Sequence, residues 1–439
     1  MPVIIIVLLI VFLDLLGIGI LIPVIPQLLA NPASPYFLLP KDMNLQQGFI
    51  LLGFLTASYP LGQFFATPIL GELSDKFGRK PLLSFSIFGT CLSYVLFAWG
   101  IMLKSIPVLF IARSFDGITG GNISVAQATI SDITKPEHRA KNFGLMGAAF
   151  GLGFIFGPYL GGKLSDPSVV PWFDATTPFW FAAILSGINC LLVLLLLKET
   201  NMYRAREKQI HWIKSLQNIG KALAFKDLRV LFTTNFLFQG GFSFFTTFAA
   251  VFFITRFGFS QGNIGDIFAY VGVWIAFTQG FITRKLAPKF SEKTILTFSL
   301  VGSGTALLLY GLSNPLSLHE LFGISAASDG LYKWLVEGNA LLLILFTPVL
   351  AINNGLTQAN MTALISKSAG AHAQGEVMGI NSSVQALAQS IPPILSGYIA
   401  ASLTPETPIL VASIVMLLGG MVFLLFYSDN KIPATVEYR

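Results

Sequence analysis

Charge is scarce in this chain. Of 439 residues only 11% are Asp, Glu, Lys or Arg, against roughly a quarter in an ordinary soluble domain. That is too few to cover the surface of a water-soluble protein of this size. Cysteine is nearly absent as well: Cys91 and Cys190, both inside apolar runs, exclude a disulfide framework and a cysteine-based zinc site. The four histidines are scattered without metal-ligand spacing, so no metal is expected. No G-x-G-x-x-G follows a strand pattern, which removes the nucleotide-binding fingerprint, and no nucleophile and base are arranged as in an enzyme. What the chain has instead is apolar mass: 54% hydrophobic residues, with 40 Phe and 41 Gly. Glycine in such numbers fits membrane helices that pack closely.

A spanning helix needs about 20 mostly apolar residues, and runs of that length recur along the whole chain. Twelve are identified, at roughly 3–30, 46–73, 80–102, 107–131, 139–163, 176–198, 228–254, 263–285, 293–313, 338–364, 375–402 and 406–428. They predict an all-α integral membrane protein of 12 transmembrane helices. The first run stands where a signal peptide would, but it is too long, lacks a basic start and an A-x-A site, and carries Asp14, so it is read as retained.

Sorting the 27 Lys and Arg gives the orientation. Twenty-one fall in the even-numbered connections and the C-terminal tail, the odd-numbered connections hold one each (Lys41, Lys104, Lys163, Arg256 and Lys333), and Arg113 lies inside the fourth run. Excess positive charge marks the cytoplasmic side, which places both termini in the cytoplasm; the expected location is a bacterial inner membrane. The net charge of +6 therefore reports topology and a lipid bilayer as partner, with no nucleic acid. The charged stretch at 199–227 separates two six-helix halves, 1–198 and 228–428, ahead of a tail at 429–439. It reads as a solvated linker with a surface helix on the anionic leaflet. The halves look like copies. A shift of 235 residues lays Gly144 on Gly379, Pro158 on Pro393 and Gly162 on Gly397, and a shift of 213 lays residues 73–80 on 286–293. Duplicated halves are a transporter architecture, with the substrate site at their interface near the midplane.

Four stretches carry a resemblance: LDLLGIGILIPVIPQLL (13–29), GELSDKFGRK (71–80), ARSFDGITGG (112–121) and FGLGFIFGPYLGG (150–162). On these the chain resembles the major facilitator superfamily, and within it the twelve-helix drug:proton antiporters that include tetracycline and multidrug efflux proteins. The resemblance implies a monomeric, pseudo-symmetric transporter of small molecules that works by alternating access. Its energy source is then the proton gradient, with no cofactor. It also implies an inner latch at GELSDKFGRK. There Gly71 and Gly78 permit a tight turn, Asp75 meets the positive end of a neighbouring helix, and Arg79 and Lys80 pair across the seam between halves. Arg139, Asp132 and Glu376 are placed on the same side as partners, and whether Asp75 or Glu376 occupies the start of the eleventh helix is open. In the fifth helix Gly153, Gly157, Pro158, Gly161 and Gly162 match the antiporter motif, where small residues let backbones touch and the proline bends the helix. A packing face alone also accounts for these glycines.

An ionised side chain at a helix centre costs around 2.5–3.5 kcal/mol on insertion scales, so such residues usually face a cavity and act there. Three qualify: Asp14, Arg113 and Asp116. Asp14 has no charged neighbour on its own helix and is the leading proton carrier. Arg113 matches an arginine that the resemblance ties to proton coupling. Asp116 shares its face and is either its local counter-ion or a second protonation site. Polar stripes mark a substrate cavity: Asn381, Gln385 and Gln389 in the eleventh run, Asn235 and Gln239 in the seventh, and Asn354 and Gln358 in the tenth. Tyr59, Gln63, Tyr94, Gln127 and Tyr270 add aromatic and amide contacts. Hydrogen bonding between helices is the alternative reading of each stripe.

Neutral amides and aromatics suit an amphipathic organic molecule. Tetracycline carried as a metal chelate fits poorly, since Ser93 stands before Tyr94 where those exporters carry an acid, and the ninth run has no acid. The functional expectation is a proton-coupled exporter of small amphipathic compounds. A proton-coupled uptake symporter for a sugar, organic acid or siderophore-like solute is the alternative, and a non-transporting receptor a remote third. The long outer loop at 314–337 has no assigned role.

Overall fold

The computed structural model describes residues 3–134, 139–201, 210–225, 228–316, 340–368 and 370–428. Its elements are α1 (Val3–Leu29), α2 (Leu45–Phe77), α3 (Arg79–Met102), α4 (Ile106–Thr119), α5 (Ile123–Ile133), α6 (Arg139–Leu164), α7 (Thr177–Leu196), α8 (Lys214–Ala224), α9 (Arg229–Phe257), α10 (Gln261–Phe277), α11 (Thr283–Leu286), α12 (Glu292–Leu312), α13 (Leu341–Ser368), α14 (Gly370–Ser402) and α15 (Thr407–Phe426). A 3₁₀ turn, Gly120–Asn122, joins α4 to α5, and a π turn, Thr278–Ile282, joins α10 to α11. Each pair is thus one broken span. Among the described residues ten helices are long and apolar enough to cross a membrane. The α4–α5 pair and α14 complete the positions of the expected twelve. The loop at 314–337 and the tail at 429–439 lie almost wholly outside the described residues.

Local chemistry sets the helix ends. Asn44 and Gln47 form a reciprocal capping box at the start of α2, each side chain bonding the other's backbone N–H at 2.9 Å, and Ser260 and Asn263 repeat it at α10. Gly258, at φ 67°, ends α9 in the left-handed region that glycine enters without a Cβ penalty. Prolines within α1, α2, α6, α13 and α14 are tolerated because neighbouring helices stabilise the freed backbone groups.

Helices α1–α7 pack as one half, α6 along α1, α7 along α3, and α4 against α2 and α3. In the other half α15 lies on α9 and α12, and α13 on α12 and α10. The second half has an aromatic core in which Phe245, Phe253, Phe268 and Tyr310 meet with ring centroids 5.8–6.3 Å apart, and such tilted and edge-on pairs add to area burial. The outward residues are apolar too: Phe298 is 74% exposed, as a lipid-facing position requires. The halves meet along two seams, α2 with α14 and α6 with α10. Below, the end of the bundle carrying α8 is the linker end, and the opposite one the far end.

Candidate functional site

Midway through the first half α1, α4 and the Gly120–Asn122 turn bring the three deep charges into one buried cluster. Asp14, Arg113 and Asp116 are 6%, 5% and 3% exposed. Arg113 Nη1 donates to Asp116 Oδ2 at 2.9 Å, the two residues lying one turn apart. The guanidinium also sits 4.6 Å from the centroid of the Tyr59 ring, a cation–π contact that strengthens where water is excluded. Gln63 secures the turn, donating to Gly120 O at 3.1 Å and reaching Tyr59 Oη at 3.4 Å. Tyr94 lays its hydroxyl on α1 at Gly17, where a Cβ would fall 1.5 Å from it; only glycine admits the ring there. Asn122 stands beside Asp14, close enough to hydrogen-bond its carboxyl. The cluster thus has one fixed positive charge for two carboxyls. Taken with a single proton on the pair of acids it is neutral, and in an apolar surrounding that balance matters.

In the second half the polar stripes meet one another. Asn235 Nδ2 donates to Asn381 Oδ1 at 2.7 Å, and Gln239 Nε2 to Gln358 Oε1 at 2.8 Å. Asn235 and Asn381 are 1% and 2% exposed. Asn354 is buried with its Nδ2 unpartnered. Gln385 and Gln358 are half-buried, and Gln389 is exposed. Gln127 is half-buried on α5, and Tyr270 packs edge-on against Trp274 within α10.

The α2–α3 turn departs from the expected pairing across the seam. Gly78, at φ 109°, reverses the chain, and Arg79 then donates to Asp75 at 2.7 Å, to Ser74 at 2.5 Å and to Asp132 at 3.1 Å, all in its own half. The physical reason is the gap at the linker end, where α8 lies between α2 and α14. Lys214 binds Glu72 and Ser215 donates to Phe64 O on the α2 side, while Asn218 donates to Ser383 and Lys221 pairs with Glu376 on the α14 side. Gly71 packs on Ser124. Arg139 begins α6, and its side chain lies outside the described residues. The carboxylate at the start of α3 is Glu199, which accepts from Arg79 N at 2.8 Å and Lys80 N at 3.3 Å. Burial alone would raise the Glu199 carboxyl, but the backbone N–H groups of Asn201, Arg79, Lys80 and Thr200 outweigh it and hold it below its ordinary value. Another correction concerns the ninth span: it opens with an acid, Glu292, which pairs with Lys367 on α13 at the linker end.

The glycines of α6 serve two partners. Gly153, Gly157 and Gly161 lie against the backbone of α1, whereas Gly162 faces α10, a Cβ on it falling 2.4 Å from Gln261 O. Gly265 of α10 in turn lies against Pro158 O. The other seam repeats this arrangement with the repeat-related residues: a Cβ on Gly397 would meet Phe49 O at 2.7 Å, and one on Gly53 would meet Pro393 O at 2.3 Å. A salt bridge between halves, Lys163 Nζ to Asp266 Oδ2 at 2.8 Å, lies at the same end. At the far end, then, the halves touch backbone to backbone. Toward the linker end Gly147, Gly151, Gly280 and Gly379 face open space. The bundle is closed at its far end and parted at its linker end.

A family model described as Major Facilitator Superfamily matches residues 7–391. The chain belongs to this superfamily. It is 32% identical over 397 residues to the class H tetracycline resistance protein of Pasteurella multocida, covering 90% of this chain and 88% of that protein. It is 27% identical to multidrug resistance protein 2 of Bacillus subtilis, over 93% and 91% of the two chains. The crystal structure of a D-xylose-proton symporter superposes with a TM-score of 0.76 at 16% identity, covering 98% of this chain and 99% of that one, which shows the shared fold. The chain is thus a multi-pass membrane protein of a transporter superfamily.

Several residues that build this transporter's site and seams carry no motif. Asn122 was hidden inside an apparently continuous span, although two glycines before it signal the break. Glu199 follows an apolar run as an ordinary loop acid. Gly53 and Gly265 were legible only as scattered small residues, and the repeat aligns them within one position of a 213-residue shift.

Proposed function

We propose that the protein is a proton-coupled exporter of small amphipathic organic compounds, working by rocking of its two halves. One observation carries this reading: Asp14, Asp116 and Arg113 are buried together with one cation for two acids, inside a superfamily fold whose similar chains are resistance proteins. In this reading the linker end faces the cytoplasm and the described state is open inward. Asp14 takes a proton while the far end is open, substrate leaves there, and the proton is released when the linker end parts. Arg113 is held by Asp116 and Tyr59, so Asp14 is the acid free to exchange its proton. One proton crossing 100 mV supplies about 2.3 kcal/mol per cycle. Asp14→Asn is expected to abolish transport driven by a pH gradient in proteoliposomes while leaving substrate binding in place. Full gradient-driven transport by that variant refutes the scheme.

Tetracycline as a metal chelate remains a poor match. Ser93 occupies the position before Tyr94, and its hydroxyl donates to Gly89 O at 2.9 Å within its own helix. It supplies no charge to a chelated cation.

A further inference from the structure

Both seams part toward the linker end, yet the two slots so formed differ. Across the α2–α14 slot lies α8. Its buried Ser215 donates to Phe64 O, and its buried Asn218 donates Nδ2 to Ser383 Oγ at 3.0 Å. The Phe64 carbonyl is available because Pro68, four residues on within α2, has no N–H to give it. Lys214 and Lys221 reach Glu72 and Glu376, both nearer the linker end.

Helical geometry, at about 100° per residue, shows on which side of the slot α8 lies. On α2, Phe64 and Glu72 stand on the flank that runs from Gly53, which meets α14, to the exposed apolar Leu61 and Phe65. On α14, Ser383 and Glu376 stand between Gly397, which meets α2, and the exposed Ile391 and Tyr398. The exposed amide Gln389 is on the opposite flank. Helix α8 therefore covers the slot from its lipid side. It has three faces of its own. Ser215, Asn218 and Ala222 are buried against the protein, and Lys214, Gln217 and Lys221 share a second face toward the linker end. Leu216 and Leu223 form the third and are 54% and 62% exposed. Trp212 and Ile213, just before the helix, are exposed as well. An apolar face continuous with the lipid faces of two spans fits hydrocarbon, and an exposed Trp beside it fits the membrane interface.

The α6–α10 slot has no such cover among the described residues. Gly272 still rests on α6, where its Cβ would fall 2.5 Å from Ile155 Cγ1. One and two turns farther, Gly151 and Gly147 of α6 would meet nothing within 4 Å, and neither would Gly280 of α10. Leu152 and Phe156 are exposed on one flank of this face of α6. On the other flank Phe154 faces Phe242 of α9, with ring centroids 6.0 Å apart, so the slot is apolar on both sides.

We propose that α8 is a seal whose Leu216 and Leu223 face rests against the acyl chains of the cytoplasmic leaflet, and that the uncovered α6–α10 slot is where those chains reach the interior. For transport the inference rests on the exporter reading: an amphipathic compound dissolved in that leaflet has its way in through the same slot.

The test is the accessibility of nitroxide spin labels to oxygen, which concentrates in hydrocarbon, and to a nickel chelate, which stays in water. It uses the full chain lacking Cys91 and Cys190, in phospholipid vesicles without substrate. Labels at Leu216 and Leu223 are expected to favour oxygen, and one at Gln217 nickel. A label at Gly151, in the uncovered slot, is expected to favour oxygen, and one at Gly379, which faces open space in the covered slot, nickel. Ser215→Ala combined with Asn218→Ala releases α8 and is expected to shift the Gly379 label toward oxygen while leaving the Gly151 label as it was. A nickel preference at Leu216 and Leu223 overturns the proposal, and so does shielding from both reagents, the mark of a protein partner. No shift at Gly379, or equal preferences at Gly379 and Gly151, overturns it as well. Molecules with the linker end closed lower both values together and leave their order. Neither substrate nor a proton gradient enters the measurement, so a failure of the exporter reading in Asp14→Asn leaves these accessibilities intact.

Discussion

Replacing Gly162 by Ala is expected to drive the transporter out of the far-end-closed state. The added Cβ would stand 2.4 Å from Gln261 O, 3.0 Å from Gly265 Cα and 3.1 Å from Gly265 N. All three are backbone atoms, so no side chain can turn aside, and ordinary contact begins near 3.4 Å. Helices α6 and α10 must therefore separate by about 1 Å. Overpacking of this kind costs about 1–3 kcal/mol. The cost falls only on the closed state, because the seam is apart when the far end opens. A bias of that size shifts the equilibrium by about 5–150-fold. Spin labels at Val169 and Leu403, exposed at the far end of the first and second halves, report the separation by pulsed electron resonance in a background lacking Cys91 and Cys190. The long-distance population is expected to grow in Gly162→Ala. It is expected to stay put in Gly187→Ala, whose Cβ would meet only Cys91 Sγ at 3.7 Å. An unchanged distribution in Gly162→Ala, or an equal shift in both variants, refutes the reasoning.

Lys163→Gln or Asp266→Asn is expected to weaken the same closure by about 1 kcal/mol or less, since both side chains keep over a quarter of their exposure. The exchanged pair Lys163→Asp with Asp266→Lys should recover it in the same distance measurement, whereas a purely local effect of either residue would not be rescued. Glu199 gives a pH dependence. Its carboxyl is held below the ordinary 4.5 in the folded chain, so its contribution is fully present above about pH 4.5 and is lost as pH falls through the lower folded value. Glu199→Gln is expected to cost about 1 kcal/mol of stability at pH 7, as for a lost helix cap, read as a lower melting temperature, and to flatten the decline on acidification. An unaltered acid limb would contradict the capping role.

Much of the architecture was legible in one dimension. The spans followed from runs of apolar residues, because transfer into lipid is close to additive along a helix. The repeat followed from glycine and proline positions, and the deep charges from their isolation. Less legible were the partners. The Arg79 latch was expected across the seam and closes within one half, since the gap at the linker end is a property of the conformational state. The amides read as cavity walls meet in part as pairs, Asn235 with Asn381 and Gln239 with Gln358. A four-residue spacing gives a face but not the helix opposite it. Glu199 caps a helix that begins 120 residues earlier in the chain, and no local pattern encodes such a contact.

By itself, then, the sequence determined that this is a membrane-spanning duplicated transporter with three charges deep in its first half. Hydrophobicity, length and the cost of burying charge are local quantities, and they add residue by residue. Only the tertiary structure decided that Arg113 turns to Asp116 and Tyr59 while Asp14 faces Asn122, that repeat-related glycines close both seams at the far end, and that α8 stands between α2 and α14. Those outcomes depend on how helices rotate and cross. A rotation of one residue moves a side chain about 100° around its helix, and only packing fixes which neighbour it meets.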